Sequence, residues 1–519
     1  MRISNDLFDL IKSLEKSEKR YFKLQMKTSD SNLQQNMVLL FDAIDKQTVY
    51  DEHKILKKFT GKVFAKRLTV TKNRLYFAVL KTLEAYHSSN ASDSYFIGMV
   101  EQAEILFEKG LFKQGQNLLL TIKKKATEEN RFIVLQKVLK TERAHFNKLI
   151  VDNTAQNKKI KDLNLQILEQ HQNLLEFNKI WVKFHYELIN AKAPVRGASI
   201  INKVLSNYEL KLLQNDKLSL SIGANVHRVS LNSFITRLDG ELKKCLAYRV
   251  ELVTIFEENP HLISRNIKAY INQLNNLIFS QYQSKLYNES LGSILKLENL
   301  KDKPNLKLNA KQLLYINVRT YIARITVYRT TNNICLSTSY LPPFLQFYAQ
   351  NSYLMELRNQ VSFLINIAFV HFYNANYSKT NDACSSILDF DIKNNHLENY
   401  LTAKTLHIIC YFELQIENLF YSVCKSTTRF LNDKKETYEI IYVIIKYLKI
   451  INNMVNKTDI IDKWSAFKAH ILRAAEKNST NKTFIDEIKL LEYVESKIID
   501  KPMIAVLDNN KIKLNENLI

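Results

Sequence analysis

A chain of 519 residues that is 46% apolar can bury a large core, and its length allows two to four ordinary domains. With 8 Gly and 6 Pro it is too poor in turn formers for a sheet protein of this size, which points to an all-α fold. The net charge of +22 admits nucleic acid or an anionic surface as partner, yet the lysines are spread out, and a composition rich in Lys, Asn and Ile accounts for the same charge. The five cysteines (Cys245, Cys335, Cys384, Cys410, Cys424) show neither CxxC nor Cys/His spacing. They read as buried reduced thiols, which suits a cytoplasmic protein. Charges interrupt the first 22 residues, so a secretion signal is not expected there. The most apolar windows, 361–373 and 440–451, are too short or too charged to span a bilayer, so no membrane partner is expected.

In chain order, residues 1–87 stand apart as a small helical domain. Leu7, Leu10, Ile11 and Leu14 mark a first amphipathic helix, followed by a charged run over 16–23. Further helices are expected near 36–45, 52–59 and 63–86, with Asp51 as the N-cap of the third. Seventeen basic residues against ten acidic ones give this segment roughly double the charge density of the remainder. Lys66, Arg67, Lys72 and Arg74 could therefore serve a helix-turn-helix, with Lys72 and Arg74 on phosphate. The alternative is a bundle that caps the open end of a repeat stack. The polar stretch 88–95 reads as a linker.

Residues 99–127 follow as two helices joined by a tight turn at Lys109-Gly110-Leu111. Met99, Ala103, Leu106 and Phe107 share one helical stripe; Phe112, Gly115, Leu118, Leu119 and Ile122 share another. Gly110 can take the positive φ that ends the first helix, and Ala103 and Gly115 are small enough for close backbone approach. Through Ala103, Leu106, Gly110, Phe112, Gly115 and Leu119 the hairpin resembles a tetratricopeptide repeat. It departs from that pattern at Gln102, Ile122 and Thr127.

The turn recurs. Breaks within helix pairs are expected near Gly110, Asn153, Val195, Gly240, Leu286, Asn332, Ala375, Gln415 and Asn456, an interval of about 43 residues. A second series, between pairs, falls near Glu128, Asn215, Pro260, Pro304, Asn351, Asn394, Lys434 and Ser479. It skips Gln172, where one long helix is expected. Tetratricopeptide units are shorter, about 34 residues, so the period departs from that family toward HEAT-like lengths. The architecture expected is an α-solenoid of stacked antiparallel helix pairs over 96–500. Its last helix carries Ile485, Ile488, Leu491 and Val494. Pro502 stops that helix, and 501–519 reads as a loosely attached tail.

Of chemistry the sequence offers little. It has no Gly-rich phosphate loop, GxSxG, HExxH or other ligand-spaced His and carboxylates, so neither an enzyme nor a cofactor or metal site is expected. His145, His171, His185, His371 and His407 lie singly on helices, where packing is the ordinary role. Glu101, Glu104 and Glu108 form an acidic stripe that reads as an exposed face. The tetratricopeptide resemblance implies that first helices line a concave groove, there presenting Asn276, Gln283, Arg319, Asn366, Phe369 and Tyr373. Amides, a guanidinium fork and aromatic faces suit an extended peptide. The function expected is a non-enzymatic protein- or peptide-binding scaffold. The alternative is a nucleic-acid-binding regulator with a basic N-terminal domain and a repeat sensor.

Overall fold

The computed structural model describes residues 3–27, 32–87, 93–145, 154–190, 197–303, 306, 308–392, 396–434 and 438–518. Among them every regular element is a helix, and none is a strand. The chain divides into two compact units, Met1–Gln172 and Asn173–Ile519, a division that falls inside the 96–500 segment. Residues 88–92 of the expected linker lie outside the described residues, as do the breaks expected at Asn153, Val195, Pro304 and Asn394. Asp93 already begins a helix, Asp93–Glu108.

In the first unit, the helices Ile3–Ser13, Lys16–Lys27, Asn32–Asp45 and Leu68–His87 pack on one another. Leu7, Ile11, Phe22, Phe41, Ile44 and Leu75 fill the core between them. The charged run becomes a helix because Phe22 anchors it, stacked on Phe41 with ring centroids 4.7 Å apart. Asp51 caps Glu52–Lys58, accepting the Lys54 amide at 3.0 Å. The expected long helix is interrupted at Arg67, between Val63–Lys66 and Leu68–His87. Farther along, Asp93–Glu108 packs on Phe112–Glu128, and Phe132–Ala144 packs on both. A Cβ at Gly115 would stand 2.6 Å from Phe107 Cε1, so the Phe107 ring packs in the space that a side chain at 115 would need. Glu104 is taken up by Lys137 and by Thr141, whose hydroxyl donates to it at 2.7 Å.

One turn geometry serves both units. Gly110, Asn130, Gly240, Lys285, Asn332, Ala375 and Gln415 each sit at a positive φ between 54° and 80°. In each case the next amide donates to the carbonyl five residues back, for example Leu111 to Leu106 at 2.9 Å and Asn376 to His371 at 2.9 Å. The pairing is that of a Schellman C-cap. Five residues beyond Gly240, Lys285, Asn332 and Ala375 stand Cys245, Ser290, Ser337 and Thr380, small and buried where the second helix crosses the first.

In the second unit, helices pack on their successors and, along the series, on the helix after that. Ile267–Gln283 touches Ala310–Thr330, which touches Leu357–Tyr373, which touches Leu397–Glu413. Helix Thr154–Asn190 runs unbroken through Gln172, as the missing breaker suggests. The C-terminal residues correct their expectation. Far from loosely attached, Met503, Val506, Leu507 and Leu514 are buried. The Ile512 amide donates to Thr331 O at 2.9 Å, Asn332 Nδ2 to Asn510 O at 3.2 Å, and Arg324 Nη1 to Leu518 O at 3.3 Å. Turn carbonyls and amides of the helix pairs supply these partners, which composition alone does not reveal.

Candidate functional site

Three helices of the second unit define the candidate face, because they carry cations in sequences without acidic residues; Ile334–Asn351 and Leu357–Tyr373 lack acids too. Neither Asp nor Glu occurs in Ile222–Leu238, Ile267–Gln283 or Ala310–Thr330. Some of their cations find carboxylates elsewhere: Arg228 meets Glu251 at 3.0 Å and Arg324 meets Glu298 at 2.7 Å. Arg237, Lys268 and Arg319 have no carboxylate within ion-pair distance among the described residues, and nor does Arg249 on the adjoining helix Leu242–Glu258.

Those unpaired cations rest on aromatic rings and amides. The Arg237 guanidinium lies 5.2 Å from the Phe279 ring centroid. Lys268 and Arg319 lie over the same Tyr315 ring, at 5.6 and 5.0 Å. Tyr315 donates its hydroxyl proton to Asn272 Oδ1 and accepts from Arg319 Nη2 at 3.3 Å. Arg249 is 6% exposed; its Nη1 reaches Gln273 Oε1 only at 3.5 Å, and its Nε is buried without an acceptor. Burial holds the Arg249 guanidinium below its ordinary value, opposed by the Cys245 thiol beside it and reinforced by the nearby Arg237.

Of the six residues expected to line a groove, Asn276, Gln283 and Arg319 are not buried. Asn276 and Gln283 follow Lys268 and Asn272 along one stripe of Ile267–Gln283, Gln283 exposed and Asn276 half-buried. Arg319, half-buried, borders that stripe through Tyr315. The other three residues require correction. Asn366, Phe369 and Tyr373 are buried and line no open surface. Asn366 Nδ2 donates to Ser362 O at 2.8 Å, and the Arg329 guanidinium covers Phe369 at 4.2 Å. The Tyr373 hydroxyl donates to Glu487 O at 3.0 Å, so the chain's own residues 487–493 take the place assigned to a peptide.

Among the N-terminal candidates, Lys66, Arg67 and Arg74 are exposed, but Lys72 is not available for phosphate. It is 3% exposed, 2.7 Å from Glu52 and 3.3 Å from the Tyr50 hydroxyl. Burial pulls the Lys72 ammonium down, but its hydrogen bonds to Glu52 and Tyr50 win and hold it above its ordinary value. The hydrogen bond from Lys72 holds Glu52 below the usual carboxylate range.

Sequence reading passed over Arg237, Arg249, Lys268, Asn272 and Tyr315. The signal was present in the absence of acids from Ile222–Leu238, Ile267–Gln283, Ala310–Thr330 and Leu357–Tyr373, which a positive motif does not register. No protein-family model matches this chain, and no curated protein or solved structure matches it either. Among the described residues no group of His, Cys, Asp and Glu is arranged to hold a metal ion, and no helix is long and apolar enough to cross a membrane.

Proposed function

We propose that this chain is a non-enzymatic, cytoplasmic scaffold that binds a protein or peptide partner, its second unit being an α-solenoid of stacked antiparallel helix pairs. The observation that supports the reading is the recurrence of one Schellman turn at intervals of 40 to 47 residues from Gly240 to Gln415, joined to contacts along the series Ile267–Gln283, Ala310–Thr330, Leu357–Tyr373 and Leu397–Glu413. A stack of this kind presents equivalent faces of successive helices in register, the geometry that accommodates an extended chain. Selection of a random peptide library on the full-length protein tests it. Enrichment of one peptide class, with amide-exchange protection over 267–330, is the expected result; no enrichment from any library overturns it.

A second reading, nucleic-acid binding by the first unit, draws on the exposed Lys66, Arg67 and Arg74 and no longer includes Lys72. Binding to duplex DNA should then fall steeply with salt and be lost in Arg67→Glu with Arg74→Glu. Affinity that ignores both changes removes this reading.

A further inference from the structure

We propose that the face formed by Arg237, Arg249, Lys268 and Arg319 is a docking site for an acidic segment of a protein partner, with Arg249 as its recessed anchor. The inference rests on the scaffold reading and names its partner chemistry. Charge complementarity is the first argument. Arg237 rests on Phe279 and Arg249 reaches Gln273, both on the helix Ile267–Gln283 that also carries Lys268. Arg319 joins them through Tyr315, whose hydroxyl bonds Asn272 of that helix, and no carboxylate among the described residues lies within ion-pair distance of any of the four.

The second argument is the state of Arg249. A guanidinium that is 94% buried ordinarily has several acceptors, because an unpaired buried charge is costly. Here a 3.5 Å contact to Gln273 and the neighbouring Cys245 thiol stand in for them, Nε has no acceptor, and Arg319 Nε is likewise buried without one. A carboxylate entering beside Gln273 would supply what Arg249 lacks, in the bidentate geometry that guanidinium favours. The third argument separates a peptide from a nucleic acid. Asn272, Gln273, Asn276 and Gln283 flank the cations with groups that both donate and accept, matching peptide N–H and C=O. The deepest cation is recessed, which suits a slender carboxylate side chain better than a phosphate fixed in a broad duplex backbone.

The test uses the full-length protein and a fluorescein-labelled Glu-rich dodecapeptide, with its Gln counterpart and a single-stranded oligonucleotide as controls. The Glu peptide should bind with affinity that falls as salt rises, and the Gln peptide about tenfold or more weaker. Arg319→Gln with Lys268→Gln, the first half-buried and the second exposed, should weaken the Glu peptide about tenfold or more. Arg249→Met should lose binding to at least that extent while melting no lower than the parent, since an unpaired buried charge has been removed. Equal binding of the Glu and Gln peptides, indifference to the variants, or tighter binding of the oligonucleotide overturns the proposal. Library selection that enriches a non-acidic peptide on 267–330 also overturns it and leaves the scaffold reading standing.

Discussion

Lys72 and Arg249 are both buried cations, and what surrounds each sets its role. Lys72 has Glu52 at 2.7 Å and the Tyr50 hydroxyl at 3.3 Å, which fixes it as a structural pair. The two partners are unequal: the Glu52 side chain is 39% exposed and that of Lys72 only 3%. Removing Lys72 returns Glu52 to water, whereas removing Glu52 strands an ammonium in the core. Glu52→Gln should therefore cost about 2–3 kcal/mol and Lys72→Met under about 1 kcal/mol, measured by urea unfolding. A larger loss from Lys72→Met would refute the asymmetry. The pH dependence follows from the directions of the shifts. Glu52 is depressed, so its contribution is present above the ordinary carboxylate value and is lost as pH falls through the folded one. Lys72 is raised, so its contribution is present below the ordinary lysine value and is lost as pH rises through the folded one. The pair should contribute fully between about pH 5 and pH 10, and in Glu52→Gln the acid limb of the stability profile should flatten.

At the scale of the element, the helix pairs depend on a turn that most residue types enter unwillingly. Gln415 holds φ at 54° with a side chain, against a left-handed penalty of about 1 kcal/mol that glycine escapes. Gln415→Gly should raise stability by about 0.5–1 kcal/mol, the entropy of the freer unfolded chain offsetting part of the gain. Gly110→Ala should lower it by about 1 kcal/mol, although nothing lies within 4 Å of the added Cβ, because φ there is 80°. Thermal melts of the two variants should move in opposite directions; a shared direction would place the cost in packing. This turn also explains how much of the fold the sequence disclosed. Gly240, Asn332, Ala375 and Gln415 are where the periodic breaks lead one to look, and Lys285 lies one residue from Leu286. The break in apolar periodicity is local and survives replacement of glycine by Asn, Ala or Gln. Of the expected groove residues, Asn276 and Gln283 share a partly exposed stripe of Ile267–Gln283 and Arg319 stands half-buried on the neighbouring Ala310–Thr330, positions that apolar periodicity leaves outside the core. Asn366, Phe369 and Tyr373 misled because a face covered by another segment and a face open to a ligand carry the same mixture of amides and aromatics.

Across the whole molecule, what escapes a local reading is contact between distant positions and the sum of many charges. The C-terminal helix Met503–Asn509 illustrates the first: Leu507 is fully buried, and Asn510 and Ile512 bond to the turn at 331–333. Leu507→Ala should cost about 2–5 kcal/mol and open amide exchange over 503–518 before the rest of the second unit; simultaneous exchange everywhere would mean that the segment and the unit fold as one. The charge illustrates the second. With 74 basic and 52 acidic residues, the folded chain concentrates a net +22 that the unfolded chain disperses, so self-repulsion acts against compaction. Surface ion pairs such as Lys203–Glu187 contribute little against this, since their Coulomb gain is small in water. Raising salt from about 20 to 150 mM shortens the screening length from about 20 Å to about 8 Å, which relieves the repulsion more than it weakens the buried pairs. The melting temperature should accordingly rise over that interval. The affinity for a Glu-rich peptide should fall over the same interval, because there the same cations attract. If both quantities fell together, stability would rest on exposed ion pairs, and the unpaired cations of 237–319 would no longer set this protein apart from an ordinary basic one.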